Sequence, residues 1–180
     1  NFTILPKRPK ESARAYASIW TDKGSPLILI SRAVQKKLQT LVDIPVELAM
    51  RYQNPSITHA VNELNYREVD EILVIPLFPH YAMSSYETAF VRVQEVVAQL
   101  APHITVRVQP PYYDDPSYIS ALVASAKDYL DRDFDHLLFS YHGIPVRQLH
   151  KMDPNGCDCL KIDHFAKLQE PVHPTCYRSQ

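Results

Sequence analysis

His142 is the residue of this chain best suited to proton or metal chemistry, because of where the sequence delivers it. The run Leu137-Leu138-Phe139 is apolar and reads as a buried strand, and it breaks at Ser140-Tyr141-His142-Gly143, where Gly143 and Pro145 force a turn. An imidazole at a strand end can take a proton near neutral pH or bind a first-row metal. A structural histidine is the plainer reading of the same residue. Other polar clusters recur at Arg51-Tyr52, His80-Tyr81 and Tyr112-Tyr113. Toward the end, Cys157, Cys159 and Cys176 form Cys-x-Cys-x16-Cys, and thiolates at such spacing are soft ligands for zinc or an iron–sulfur cluster. Three thiolates do not close a tetrahedral site, so a fourth ligand must come from His164, His173, another chain or residues past Gln180. At the opposite end, Lys7-Arg8-Pro9-Lys10 gathers three cations. The proline is expected to keep them on a loop, either solvated or holding ligand carboxylates in the bidentate manner of arginine.

The elements that must position these groups follow from periodicity. Residues 11–20 predict a short helix ending near Trp20. Gly24-Ser25-Pro26 is a helix start, with Ser25 at the N-cap and Pro26 first in the helix, and Leu27, Ile30, Val34, Leu38 and Leu41 recur at helical spacing. Val46 to Met50 reads as a strand. Asn54 then suits a cap and Pro55 a first helical residue, before the stripe Ile57, Val61, Leu64. Ile72 to Leu77 is the next strand, followed by His80-Tyr81. Ser84 and Ser85 lead into a helix with Phe90, Val93, Val97 and Leu100 on one face. Ile104 to Val108 is a third strand, and Asp115-Pro116 opens a helix carrying Ile119, Leu122, Val123, Ala126 and Leu130. His136 to Tyr141 is the fourth strand. Strands alternating with helices imply parallel pairing and right-handed crossovers, hence an α/β, Rossmann-like sheet with helices on both faces. Each polar cluster follows a strand, so all four belong at the C-terminal edge of the sheet and could line one crevice. The tyrosines there suit a flat hydrophobic ligand.

Composition removes several alternatives. Hydrophobic residues make up 46% and charged residues 22%, the balance of an ordinary soluble domain. A net charge of −1 gives no electrostatic case for nucleic acid or an anionic membrane surface. No apolar run is long enough to span a bilayer and no secretory signal opens the chain, so a cytoplasmic location is expected. The cysteines are odd in number and confined to the last quarter, which argues against a disulfide framework. Only three glycines are present, Gly24, Gly143 and Gly156, too few and too scattered for a phosphate-cradling loop, so no nucleotide cofactor is expected. Residues 1–149 are expected to form the Rossmann-like domain. Residues 150–180, where periodicity is lost, are expected to be an irregular Cys- and His-containing segment. The opening Asn-Phe-Thr, without Met, suggests a fragment.

The Leu-Phe-Ser-Tyr-His-Gly-Ile-Pro run ending at Pro145 resembles the signature of ferrochelatase, the enzyme family that inserts ferrous iron into a porphyrin in haem synthesis. Lys7-Arg8-Pro9-Lys10, Gly24-Ser25-Pro26, Arg51-Tyr52-Gln53-Asn54-Pro55 and Pro76-Leu77-Phe78-Pro79-His80-Tyr81 resemble segments of the same family in the same order, with Ser84 and Ser85 behind the last. The resemblance runs almost the whole chain. It implies that His142 accepts porphyrin protons, ligates iron, or both. It implies that Ser25, Arg51, Tyr52, Tyr81, Ser84 and Ser85 line the substrate pocket, and that Arg8 and Lys10 lie near the propionates. It further implies a bacterial subgroup in which Cys157, Cys159 and Cys176 hold a [2Fe-2S] cluster, with the fourth ligand just past Gln180. Fe²⁺ and a porphyrin, protoporphyrin IX or coproporphyrin III, would be the substrates.

Members of that family carry two similar Rossmann-like domains. This chain resembles the first half without its opening strand, so it is expected to hold half an active site and to be inactive alone. Short chelatases acting on other tetrapyrroles lack this combination of motifs. A haem- or iron-binding sensor of the same fold is the alternative from a different class: it would bind haem and never turn over porphyrin. Peripheral membrane association and oligomeric state are left open by the sequence.

Overall fold

A computed structural model describes residues 8–153, 175–178 and 180. They divide into two compact units, Asn1–Arg67 and Glu68–Gln180.

The first unit is helical. Helix α1 spans Arg8–Ile19, α2 Pro26–Gln39 and α3 Ile57–Tyr66. Contrary to the loop expected for the basic segment, Arg8, Pro9 and Lys10 begin α1. A first-turn proline removes no intrahelical bond, because the amides there have no partner in any case. Pro26 opens α2 as expected, although the Ser25 hydroxyl makes no capping bond. The cap of α3 is Ser56 rather than Asn54: its side chain accepts from the His59 amide. Pro55 belongs to the turn before it, where its carbonyl accepts the Met50 N–H at 2.7 Å.

Residues 46–50 form no strand beyond an isolated parallel bridge between Met50 and Ser56. The Val46 carbonyl accepts from Gln35 Nε2 at 2.8 Å, and its amide donates to Gln39 Oε1 at 2.9 Å. Glutamine side chains from α2 thus take backbone groups that a ladder would otherwise use. Ile57, Ala60 and Val61 of α3 are buried, whereas Leu27, Ile30 and Val34 of α2 are exposed.

The second unit is built on a parallel pair. Strand β1 (Glu71–Val74) pairs with β2 (Thr105–Val108) in the register Glu71↔Thr105 through Val74↔Val108. The connection between them contains a π-helical turn, Met83–Glu87, continuing into α4 (Thr88–Leu100). Val93, Val96 and Val97 of α4 bury with Ile72, Ala101 and Ile104, and Val96 is 2% exposed. A parallel crossover through a helix is the α/β architecture the alternation predicted. Strand β1 stops before the expected Leu77, since Pro76 has no amide to give the ladder.

Helix α5 (Pro116–Leu130) starts as expected, with the Asp115 carboxylate accepting from Ser117 and Tyr118 at 2.8 and 3.1 Å. Its apolar face, Ile119, Leu122 and Val123, is exposed. Two further expectations are corrected. Residues 136–141 join no sheet, and Leu138 is 88% exposed. Beyond Pro145, where no helix was expected, α6 spans Val146–Met152. Proline caps it in extended geometry and hands on a helical path.

Candidate active site

Because β1 and β2 are parallel and level, their C-terminal ends open on the same edge. The Gln109 amide donates to the Val74 carbonyl at 2.8 Å and carries the register one step past the strands. Two loops then run side by side, and Tyr112 ties them together. Its amide donates to the Pro79 carbonyl at 2.9 Å and its hydroxyl to the Pro76 carbonyl at 3.1 Å. The Tyr86 hydroxyl, reaching up from the π-helical turn, donates to the Gln109 carbonyl at 2.7 Å.

An aromatic cluster results. The His80 imidazole stacks on Tyr113 with centroids 5.6 Å apart and planes 14° from parallel, and Tyr177 tilts against its ring at 6.0 Å. Tyr81 packs on Tyr86 at 5.5 Å, and Tyr112 meets Tyr118 edge-on at 5.3 Å. Burial among these rings lowers the His80 pKa from its ordinary 6.5, favouring the neutral base. Burial also raises Tyr81, with the Glu87 carboxylate adding repulsion and a hydrogen bond, to about 12. Tyr112 and Tyr113 are raised by burial as well, then by Tyr118 and Asp114 respectively. These phenols therefore stay protonated at any physiological pH and act as donors and flat apolar faces.

Residues 175–178 and 180 close on the same loops. The Tyr177 hydroxyl donates to the His142 carbonyl at 2.9 Å, and Gln180 Oε1 accepts the Tyr81 amide at 2.7 Å. Ser84 lies in the π-helical turn, and its hydroxyl reaches Gln148 Oε1 of α6 at 3.5 Å, the long limit of a hydrogen bond. So His80, Tyr81, Ser84, Tyr113 and the His142 backbone are joined by short links within one unit. His142 itself is exposed. Ser85 is half-buried in the same π-helical turn. A neutral base among tyrosine faces can accept a proton from a flat aromatic ligand.

The sequence profile of the ferrochelatase family matches residues 1–180. The chain is 47% identical over 179 residues to a ferrochelatase of Opitutus terrae, covering 98% of this chain and 52% of that protein. With a ferrochelatase of Ectopseudomonas mendocina the identity is 49%, and with one of Stutzerimonas stutzeri 44%, at the same coverage. The chain belongs to the ferrochelatase family. It spans about half the length of the curated ferrochelatases it matches.

The remaining residues implied by the ferrochelatase resemblance fall elsewhere. Ser25, Arg51 and Tyr52 lie in the first unit, together with Arg8 and Lys10 of α1. The Arg51 guanidinium sits 4.7 Å above the Tyr52 ring, which is 70% exposed and offers an open aromatic face. Cys157 and Cys159, like His164 and His173, are outside the described residues. Cys176 is buried, 2% exposed. Among the described residues no group of three or more His, Cys, Asp or Glu side chains is gathered for a metal. No helix among them is long and apolar enough to cross a membrane. Tyr177 and Gln180 are the residues that sequence reasoning passed over. The available signal was an aromatic directly after Cys176, which periodicity cannot assign to a partner.

Proposed function

We propose that the full-length protein inserts Fe²⁺ into a porphyrin, as a ferrochelatase of haem synthesis, and that this chain supplies the first half of its site. The observation that carries the reading is the exposed His142 imidazole at a loop bound to a cluster of tyrosines, in a chain of this family. Metallation exchanges two pyrrole N–H protons for one metal ion, so it needs a base, a way to strip water from Fe²⁺ and a wall against a flat ring. In this proposal His142 takes a pyrrole proton and passes it to solvent, and its imidazole can equally hold the incoming iron. Tyr52 and Tyr81 present ring faces to the macrocycle. Ser25, Ser84 and Ser85 offer hydroxyls, and Arg8, Lys10 and Arg51 offer cations to carboxylates at the porphyrin periphery. Binding energy gathered there can hold the ring distorted at its centre. Protoporphyrin IX and coproporphyrin III both carry such carboxylates and are the candidate substrates.

The same proposal places the Rossmann-like domain at residues 1–149 and a cluster-binding segment at 150–180. A [2Fe-2S] cluster needs four ligands, mostly thiolates. The buried cysteine Cys176 has the right chemistry for one, and Cys157 and Cys159 would be two more. When bound, such a cluster supplies a covalent staple for a segment poor in apolar residues. A cytoplasmic location belongs to this proposal as well.

The test is anaerobic Fe²⁺ insertion by the full-length protein, followed by loss of free-porphyrin fluorescence. His142→Ala is expected to abolish turnover and leave porphyrin binding intact. Retained turnover in that variant refutes the role of His142. Tight haem or porphyrin binding without turnover in the unmodified protein refutes the enzyme and leaves a haem-binding module.

A further inference from the structure

We propose that Tyr177 is a positioning residue that holds His142 and His80 in place from a segment distant in sequence. The inference rests on the catalytic reading of His142 above and concerns how that residue is kept oriented. Residues 136–144 join no helix or sheet, so no ladder fixes the loop on which His142 stands. Gly143 adds backbone freedom because it has no Cβ, and no surrounding atom lies close enough to brace it there. Among the described residues, the Tyr177 hydroxyl makes the one hydrogen bond on Ser140–Ile144, to the His142 carbonyl at 2.9 Å.

The other face of the same side chain does different work. The Tyr177 ring packs at 6.0 Å on His80, which stacks on Tyr113. One tyrosine thus holds one histidine through its hydroxyl and another through its ring. Its own place is fixed at both ends. Cys176 beside it is buried, the Gln180 amide donates to the Cys176 carbonyl at 3.2 Å, and Gln180 Oε1 accepts from Tyr81 at 2.7 Å. Tyr177 and Gln180 together therefore bridge the loops that follow β1 and precede α6. With its hydroxyl on the His142 carbonyl and its ring on His80, Tyr177 acts through the histidines it restrains. Loss of orientation at a reacting group lowers turnover more than affinity.

The test compares Tyr177→Phe and Tyr177→Leu in the full-length protein with histidines labelled at ¹³Cε1, the His80 and His142 signals being assigned by single replacement. Tyr177→Phe removes the hydroxyl and keeps the ring. It is expected to move the His142 signal, leave the His80 signal, and lower kcat about fivefold with KM for porphyrin and the unfolding midpoint unchanged. Tyr177→Leu removes both and is expected to move both signals. An unmoved His142 signal with unchanged kcat in Tyr177→Phe overturns the proposal. So does a fall in kcat matched by a general loss of stability, which makes Tyr177 a packing residue only. If the unmodified protein turns over no porphyrin, the catalytic reading fails by itself, and the two histidine signals still decide whether Tyr177 holds them.

Discussion

Tyr86→Phe isolates one bond that sets the geometry of the loops. The Tyr86 side chain is 6% exposed, and its hydroxyl donates to the Gln109 carbonyl at 2.7 Å. Phenylalanine keeps the ring and its packing on Tyr81 while deleting the donor. A hydrogen bond of this kind contributes about 1 kcal/mol net, and a stranded acceptor costs up to about 3 kcal/mol when water cannot reach it. Gln109 is half-buried, so water can partly replace the hydroxyl, and the expected loss is about 1.5 kcal/mol. In a domain of this size that lowers the thermal midpoint by about 3–6 °C. Tyr86→Ala removes the ring too and should cost about 3–5 kcal/mol, the usual range for emptying a buried aromatic site. Urea unfolding of both variants, followed by circular dichroism, gives the two losses. A Phe variant within about 0.3 kcal/mol of the unmodified protein would show that the hydroxyl contributes nothing, which is below any estimate for a made bond. A Phe variant as damaged as the Ala variant would show that the ring cannot keep its place without the bond, and would refute the partition. The bond also starts the loop that carries Tyr113 to His80, so the ¹³Cε1 signal of His80 should shift in Tyr86→Phe.

Three further outcomes are expected. Glu87→Gln removes a carboxylate that repels the Tyr81 phenolate, so the Tyr81 pKa should fall from about 12 toward 10 without reaching it, burial being the larger cause; ultraviolet titration of the phenolate reads the shift, and an unchanged value refutes the Glu87 contribution. His80 has a folded pKa below its ordinary 6.5, so between the two values the unfolded chain binds the extra proton and stability is lost as pH falls below about 6.5; His80→Phe, which preserves the stack on Tyr113, should flatten that limb of the stability–pH curve. Ser56→Ala and Asp115→Ala each delete an N-cap acceptor and should cost about 1 kcal/mol by denaturant unfolding, with Ser56→Gly milder.

What the sequence made legible is local. The start of α5 follows from Asp115-Pro116 alone, because the cap carboxylate and the proline each act within a few residues. Ile57 and Val61 of α3 and Val93 and Val97 of α4 are buried as their spacing implies, although Leu100 of the same stripe is exposed and the buried Val96 lies outside it. Strand β2 follows from a short β-branched run. The failures share a cause. Residues 46–50 and 136–141 are as strand-like in composition as 71–74, yet a strand exists only where a neighbour answers its backbone groups. At Val46 the answer came from Gln35 and Gln39, two polar residues on a helix that periodicity files as solvent-facing. Apolar spacing likewise shows that Leu27, Ile30 and Val34 share a face of α2, and says nothing of what covers it.

The candidate site divides the same way. Parallel strands bring their C-terminal ends to one edge whatever the side chains are, so the meeting of the loops bearing His80 and Tyr113 followed from the order of elements alone. His142 reaches that neighbourhood by another route. The sheet that was expected to deliver it does not include residues 136–141, and the exposed Leu138 is no anchor. The hydrogen bond that ties its backbone there comes from Tyr177, 35 residues later. A motif can therefore point to a candidate residue while giving the wrong support for it. The consequence is testable: substitutions in the apolar run before His142 are expected to act on stability and solubility, whereas Tyr177→Phe is expected to spare both and move the His142 signal.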